Sequence, residues 1–200
     1  KTREALGWAH EPFAVPAEAY AAWDARTAGE TRRARWTHRF DAYRSEHPEL
    51  AAEFERRVKG ELPKSFAQTV VDVMVKAHED AATVATRKSS QIVLEALTKA
   101  LPEMLGGSAD LTGSNLTNTS STPPLRFAAD GDVVLDEHGP NSPRIGRHIN
   151  YGVREFGMAA VMNGVSLHGG FIVYGGTFLT FSDYSRNAIR MAALMGIRVI

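Results

Sequence analysis

Three short stretches of this chain carry residue types that packing alone does not call for. They are Gly106-Gly107-Ser108-Ala109-Asp110-Leu111-Thr112-Gly113-Ser114-Asn115, then Tyr151-Gly152-Val153-Arg154-Glu155-Phe156-Gly157-Met158, then Gly176-Thr177-Phe178-Leu179-Thr180-Phe181-Ser182-Asp183-Tyr184. Glu155 falls in the first turn of an expected helix that is rich in small residues: Gly157, Ala159, Ala160 and Gly164. A small face lets a second backbone or a flat ligand come close. By position alone, such a glutamate is most simply an exposed side chain favoured by the helix dipole, worth about 0.3–1 kcal/mol. Phe178, Phe181 and Tyr184 recur at spacings of three, so their rings can share one side of a helical turn. Aromatic sets of this kind are ordinarily core. This one follows a Gly-Gly turn at the end of an expected strand, where open α/β sheets place ligands. Asp110 and Ser114 stand on the loop after another strand end, where Asp and Ser also serve as ordinary turn residues. Arg87 opens an expected helix, a place where a solvated arginine is common.

Taken in order, these stretches resemble the transketolase family at the junction of its two thiamine-binding domains. Ala85-Thr86-Arg87-Lys88 upstream and Arg186-Asn187-Ala188-Ile189-Arg190-Met191 downstream agree with it, and the likeness starts near Leu6-Gly7-Trp8. The chain therefore reads as an internal piece of a thiamine-diphosphate-dependent transketolase. The resemblance implies reversible transfer of a two-carbon ketol unit from a ketose phosphate to an aldose phosphate. Glu155 matches the family's catalytic glutamate, which hydrogen-bonds the pyrimidine ring nitrogen and drives the 4-amino group to its imino form. That group removes the proton from thiazolium C2, and the carbanion attacks the donor carbonyl. Such a carboxylate must share a proton near neutral pH, which calls for a pKa raised by desolvation. The cofactor supplies the electron sink. The resemblance also implies that Phe181 stacks on the aminopyrimidine, with Phe178 and Tyr184 around the same pocket. It puts Asp110 and Leu111 at the cofactor and Ser114 on the sugar-phosphate donor. Arg87 matches the arginine that holds the substrate phosphate, a task suited to a planar guanidinium fork. A cytoplasmic homodimer of the pentose phosphate pathway, with its active site between subunits, is implied as well.

Magnesium is expected with the diphosphate, held by hard oxygen ligands. In this family those come from a Gly-Asp-Gly motif and a later Asn. Gly131-Asp132 starts like that motif, but Val133 follows and Asn150 stands too close. The metal ligands are accordingly expected in a missing N-terminal part, with none in this chain, and the isolated piece is expected to be inactive. His10, His38, His47, His78, His138, His148 and His168 show no metal-ligand spacing. Alternatives are another ketol-transferase, of the dihydroxyacetone synthase or deoxyxylulose-phosphate synthase type, or a non-catalytic transketolase-like assembly module. Glu155 beside a complete aromatic set argues against the last.

The elements that must position these residues can be read from periodicity. Their alternation gives the fold class α/β with a parallel sheet; the resemblance implies that it is part of a thiamine-diphosphate-binding fold, with helices on both faces of the sheet, preceded by a mainly helical linking region. By the same resemblance residues 1–80 are expected to be the end of a diphosphate-binding domain plus a linker, and 81–200 the start of a pyrimidine-binding domain. Helices are expected over 17–26, 32–44, 48–58, 65–75 (capped by Ser65, with Val70, Val71, Met74 and Val75 inward), 86–101, 153–167 and 181–195. Strands are expected at 105–106, 171–174 and 197–200, and Val133-Val134-Leu135 is expected in a hairpin arm after Asp130-Gly131. The polar stretch 118–143 is expected to form a surface excursion. Of the 200 residues, 44% are hydrophobic, enough for a core, and 23 basic residues balance 23 acidic ones. A neutral chain offers no electrostatic reason to expect nucleic acid or an anionic membrane as partner. The absence of cysteine excludes disulfides and thiolate chemistry within these residues. No apolar run approaches the roughly 20 residues that span a bilayer.

Overall fold

The structure, a computed structural model, describes residues 1–138 and 144–200. The last part of the expected excursion, 139–143, lies outside the described residues. The chain forms two compact units, Lys1–Ala52 and Glu53–Ile200. The first contains α1 (Thr2–Ala5), α2 (Ala17–Trp23) and α3 (Arg26–Glu46), and α4 (Pro48–Val58) begins in it. None of α1, α2 and α3 buries a residue. A helix polar all round is held by local pairs. On α3, Trp36 stacks on Phe40 at 5.0 Å, and the Arg44 guanidinium lies over the Phe40 ring.

The second unit continues with α5 (Phe66–Asp80), α6 (Thr86–Ala100), β1 (Met104–Ser108), α7 (Thr112–Asn115), β2 (Arg126–Phe127), β3 (Val133–Asp136), β4 (Arg144–Ile145), β5 (His148–Asn150), α8 (Glu155–His168), β6 (Ile172–Gly176), a 3-10 turn over Leu179–Phe181 and α9 (Ser182–Met195). The main sheet is parallel, in the order β5-β1-β6. Alternation along β6 shows how it is covered. Val173 joins Met158, Ala159, Met162 and Ala188 of α8 and α9 on one face. Tyr174 points the other way, to Leu101 and Met104, with Phe66, Leu94 and Leu97 of α5 and α6 packed around them. The sheet thus carries helices on both faces, as expected of an α/β layered fold.

Several expectations need correction. β5 was not anticipated: three residues bracketed by polar chain carry too short a pattern to read. Residues 197–200 form no assigned strand, although Ile200 donates to Val173 O (3.2 Å) and accepts from Gly175 N–H (2.8 Å), a parallel-type pair. Ser65 sits at the start of α5 in a helical conformation and makes no side-chain cap bond. On α5 the apolar stripe forms, but Val71, Met74 and Val75 remain exposed. The start of the polar stretch is interior, not surface. Thr117, Thr119 and Thr122 are buried, and the Thr98 hydroxyl lies 2.9 Å from that of Thr119 and 2.8 Å from that of Ser121. Beyond it, β2, β3 and β4 form a small antiparallel sheet that contains the expected arm.

Candidate active site

Register brings the three motifs together. Ser108 pairs with Asn150 on one side and with Gly176 on the other, so three neighbouring parallel strands end at one edge. Asp110, Glu155 and Phe178 each follow one of those ends, where parallel α/β sheets bind their ligands. The Gly106-Gly107 pair makes this packing possible. A Cβ on Gly106 would run into the Tyr174 ring and carbonyl, and one on Gly107 into the Ile149 carbonyl. Ser108, wholly buried, fastens the edge: its hydroxyl donates to Gly176 O (2.8 Å) and accepts the Leu111 N–H (3.2 Å). The loop it holds is strained at both ends of α7, with Asp110 at φ 62° and Leu116 at φ 57°. Left-handed backbone is tolerated by Asp but unusual for Leu, and such strain gathers at functional loops.

Beside this edge lies an open cleft of about 450 Å³. Arg87 and Ser90 enter it from the first turns of α6, Ser114 and Asn115 from α7, and Thr177 and Phe178 from the chain after β6. Two polar atoms of the cleft residues are buried without a hydrogen-bond partner among the described residues, Asn115 Nδ2 and Thr177 Oγ1. The aromatic residues form a ladder rather than one helix face, because the 3-10 turn intervenes before α9. Phe178 and Phe181 lie 5.7 Å apart, and Phe181 and Tyr184 6.0 Å apart. Phe178 and Tyr184 stay exposed and Phe181 is half-buried between them. Of the expected site residues, Arg87, Ser114 and Phe178 line the cleft, whereas Asp110, Leu111, Glu155, Phe181 and Tyr184 do not.

Glu155 is the first residue of α8 and is half-buried. No hydrogen bond from the described residues occupies its carboxylate. The neighbouring Arg154 turns back to the Tyr151 carbonyl (3.0 Å) instead. Burial pushes the Tyr151 phenol up to about 12, so it stays protonated. His148, on β5, is buried 3.2 Å from the Thr117 hydroxyl, and burial lowers its pKa.

Residues 82–200 match the transketolase pyrimidine-binding domain and residues 1–63 the transketolase thiamine diphosphate-binding domain. The chain belongs to the transketolase family. The plasmid transketolase of Cupriavidus necator is 56% identical over 99% of this chain, and transketolase 2 of Xanthobacter flavus 50% identical over 100%. The chain spans 27% of the length of each of these relatives. Among solved structures, a Pichia stipitis transketolase in complex with sedoheptulose-7-phosphate superposes with a TM-score of 0.78 at 38% identity, covering 97% of this chain and 28% of that one. The transketolase of Leishmania mexicana gives 0.72 at 31% identity, over 95% of this chain and 26% of that one.

Three residues of the site carried no assignment from sequence: Ser108, Asn115 and Thr177. All lie inside the motifs that were singled out. Small hydroxyl and amide side chains in Gly-rich loops look like turn chemistry, and nothing short of the fold distinguishes the one that is buried.

Proposed function

We propose that this chain supplies the pyrimidine-binding half of a transketolase active site, acting in reversible two-carbon ketol transfer between sugar phosphates. The observation that carries the reading is the meeting of Arg87, Ser114 and Phe178 in one cleft, at the sheet edge where Glu155 and Asp110 also emerge. The residues present fit thiamine diphosphate and a phosphorylated donor. Two buried polar atoms of cleft residues lack partners among the described residues, and the exposed Phe178 and Tyr184 rings suit a flat ligand ring. The backbone at Gly176 passes so close to Thr117 that a Cβ there would strike its methyl group.

When bound, thiamine diphosphate supplies the electron sink that lets a carbon–carbon bond beside a carbonyl break and re-form. Glu155 holds a proton at the pyrimidine ring nitrogen, which its half-buried, unoccupied carboxylate is free to do. Phe181, flanked by Phe178 and Tyr184, orients the ring and keeps water from its face. Asp110 and Leu111 sit on the strained loop pinned by Ser108, against the cofactor. Arg87 grips the donor phosphate through charge-assisted bonds, and Ser114 adds a hydroxyl. Magnesium and the diphosphate are held, in this reading, by ligands outside these 200 residues. Among the described residues no group of three or more His, Cys, Asp or Glu stands close enough to bind a metal. A homodimer with a shared active site accounts for the exposed Val161, Leu167, Ile189 and Leu194 on α8 and α9. Among the described residues no helix is long and apolar enough to cross a membrane. A cytoplasmic place in the pentose phosphate pathway completes the proposal.

The test is Glu155→Gln in the complete enzyme. Deuterium exchange at the thiazolium C2 of bound cofactor should slow by two or more orders of magnitude, while cofactor affinity changes much less. Exchange at the wild-type rate would refute the role given to Glu155.

A further inference from the structure

Ser108 is joined to all three segments that leave the site edge. Its backbone carbonyl accepts the Tyr151 N–H (3.1 Å), on the chain that leads to Glu155. Its hydroxyl makes the other two links. It donates to Gly176 O, from which the chain runs on to Thr177 and Phe178, and it accepts the Leu111 N–H. Leu111 stands at the N-cap position of α7, and its carbonyl in turn accepts the N–H groups of Ser114 (3.0 Å) and Asn115 (2.7 Å). Four residues are too few for a helix to hold itself, and α7 is entered and left through left-handed backbone at Asp110 and Leu116. The place of Ser114 is therefore set from outside α7. The two hydroxyl links differ in redundancy. Gly176 O also accepts the Ala109 N–H (3.4 Å), whereas the Leu111 N–H has the Ser108 hydroxyl as its one partner among the described residues. Among short side chains, a hydroxyl is the group that both donates to a carbonyl and accepts from an amide with full strength.

We infer that Ser108 is a positioning residue for the donor site: its hydroxyl holds α7, which carries Ser114, in register with the end of β6, which carries Thr177 and Phe178. Both segments line the cleft that Arg87 enters, so this clasp fixes where a donor gripped by Arg87 meets Ser114. The inference rests on the reading of the cleft as the sugar-phosphate site. Ser108 itself touches no substrate; it is wholly buried and acts through Leu111 and Gly176. The link towards Glu155 uses its backbone alone and survives any change of side chain.

The asymmetry of these links separates positioning from general stability. In Ser108→Ala of the complete enzyme, hydrogen exchange read by mass spectrometry without substrate should quicken by roughly fivefold or more in peptides covering 109–116. Peptides covering 151–158 should stay within about twofold of wild type. KM for a ketose phosphate should rise by roughly five- to a hundredfold, the range for a donor left unpaired, with kcat changed less than about threefold because uniform binding is what is lost. Ser108→Cys keeps the bulk but offers only a weak donor and acceptor, so it should raise KM nearly as much; a packing role would leave it close to wild type. Ser166→Ala removes a like bond, from a serine hydroxyl to Arg198 O (2.8 Å), near the end of α8 away from Glu155, and should leave KM within about twofold. Arg87→Ala, run in parallel, tests the underlying reading through its own rise in KM. If Arg87→Ala raises KM while the Ser108 variants do not, the positioning role is refuted and the phosphate site stands. If neither raises it, the cleft does not bind the donor and both ideas fall. Equal quickening of exchange at 109–116 and 151–158 would make Ser108 a general structural residue and also overturn the inference.

Discussion

Arg147 provides the sharpest test of how this site is held in place. It stands one residue before β5, and its guanidinium has no carboxylate partner among the described residues. Instead Nη1 donates to the carbonyls of Leu101, Pro102 and Met104, each at 3.1 Å. Nη2 donates to Thr98 O (2.9 Å) and Ser121 O (3.0 Å). The cluster ties the end of α6, which carries Arg87, to the start of β1, which leads to Ser114. Thr98 O needs this partner for a reason written in the sequence: four residues on stands Pro102, which has no N–H to complete the helical bond. Burial lowers the Arg147 pKa from its ordinary value without discharging it. In Arg147→Met, the carbonyls of exposed Pro102 and half-buried Ser121 can turn to water. Those of Thr98, Leu101 and Met104 belong to buried residues, and Leu101 O keeps the Met104 N–H (3.0 Å). Each orphaned acceptor costs about 1–3 kcal/mol, partly offset by release of the guanidinium from burial, for a net loss of about 2–4 kcal/mol. Hydrogen exchange read by mass spectrometry on the complete protein measures this locally. Amides in peptides covering 98–108 and 121–125 should exchange roughly 30- to 1000-fold faster, if local opening governs exchange. Arg147→Lys keeps the charge but not the planar fork, and should recover less than half of the loss. Exchange within threefold of wild type in Arg147→Met would show that the five bonds hold nothing together.

Two further outcomes follow from the same structure. Because burial depresses the His148 pKa below its ordinary 6.5, the unfolded chain takes up that proton first as pH falls. Its contribution is intact above about 6.5 and is lost at lower pH, at up to about 1.4 kcal/mol per pH unit, until the folded ring protonates too. Melting curves of His148→Gln against wild type from pH 7.5 to 4.5 should therefore converge on the acid side, and a constant offset would contradict this. Gly107→Ala drives a methyl group into the Ile149 carbonyl across a strand pair with no room to part, and should cost about 1–3 kcal/mol or more; a wild-type melting temperature would show that β5 moves aside freely.

The local pieces of this protein were legible in its sequence. The helix expected over 48–58 forms over Pro48–Val58, opening on a proline where one is tolerated. The helix expected to end at 195 does so, and Gly196 beyond it takes a φ of 64°, a conformation that glycine adopts without strain. The motifs could be singled out because Gly-Gly turns, a helix-opening glutamate and spaced aromatics are short-range patterns. Their convergence was not legible. Asp110, Glu155 and Phe178 are separated by 45 and 23 residues of chain, and only the pairing of β1 with both β5 and β6 brings their strand ends to one edge. The polar run 117–122 shows the limit most clearly. Threonines and serines in sequence imply solvent, yet here the hydroxyls satisfy one another and Thr98 inside the fold. Likewise Arg147 in sequence is one more surface arginine, and Ser108, Asn115 and Thr177 are turn residues. Residue type and spacing settle conformation because steric limits and hydrogen bonds along the chain act over a few residues. Burial, partner and role depend on groups far away in sequence, and those meet only when the tertiary structure closes.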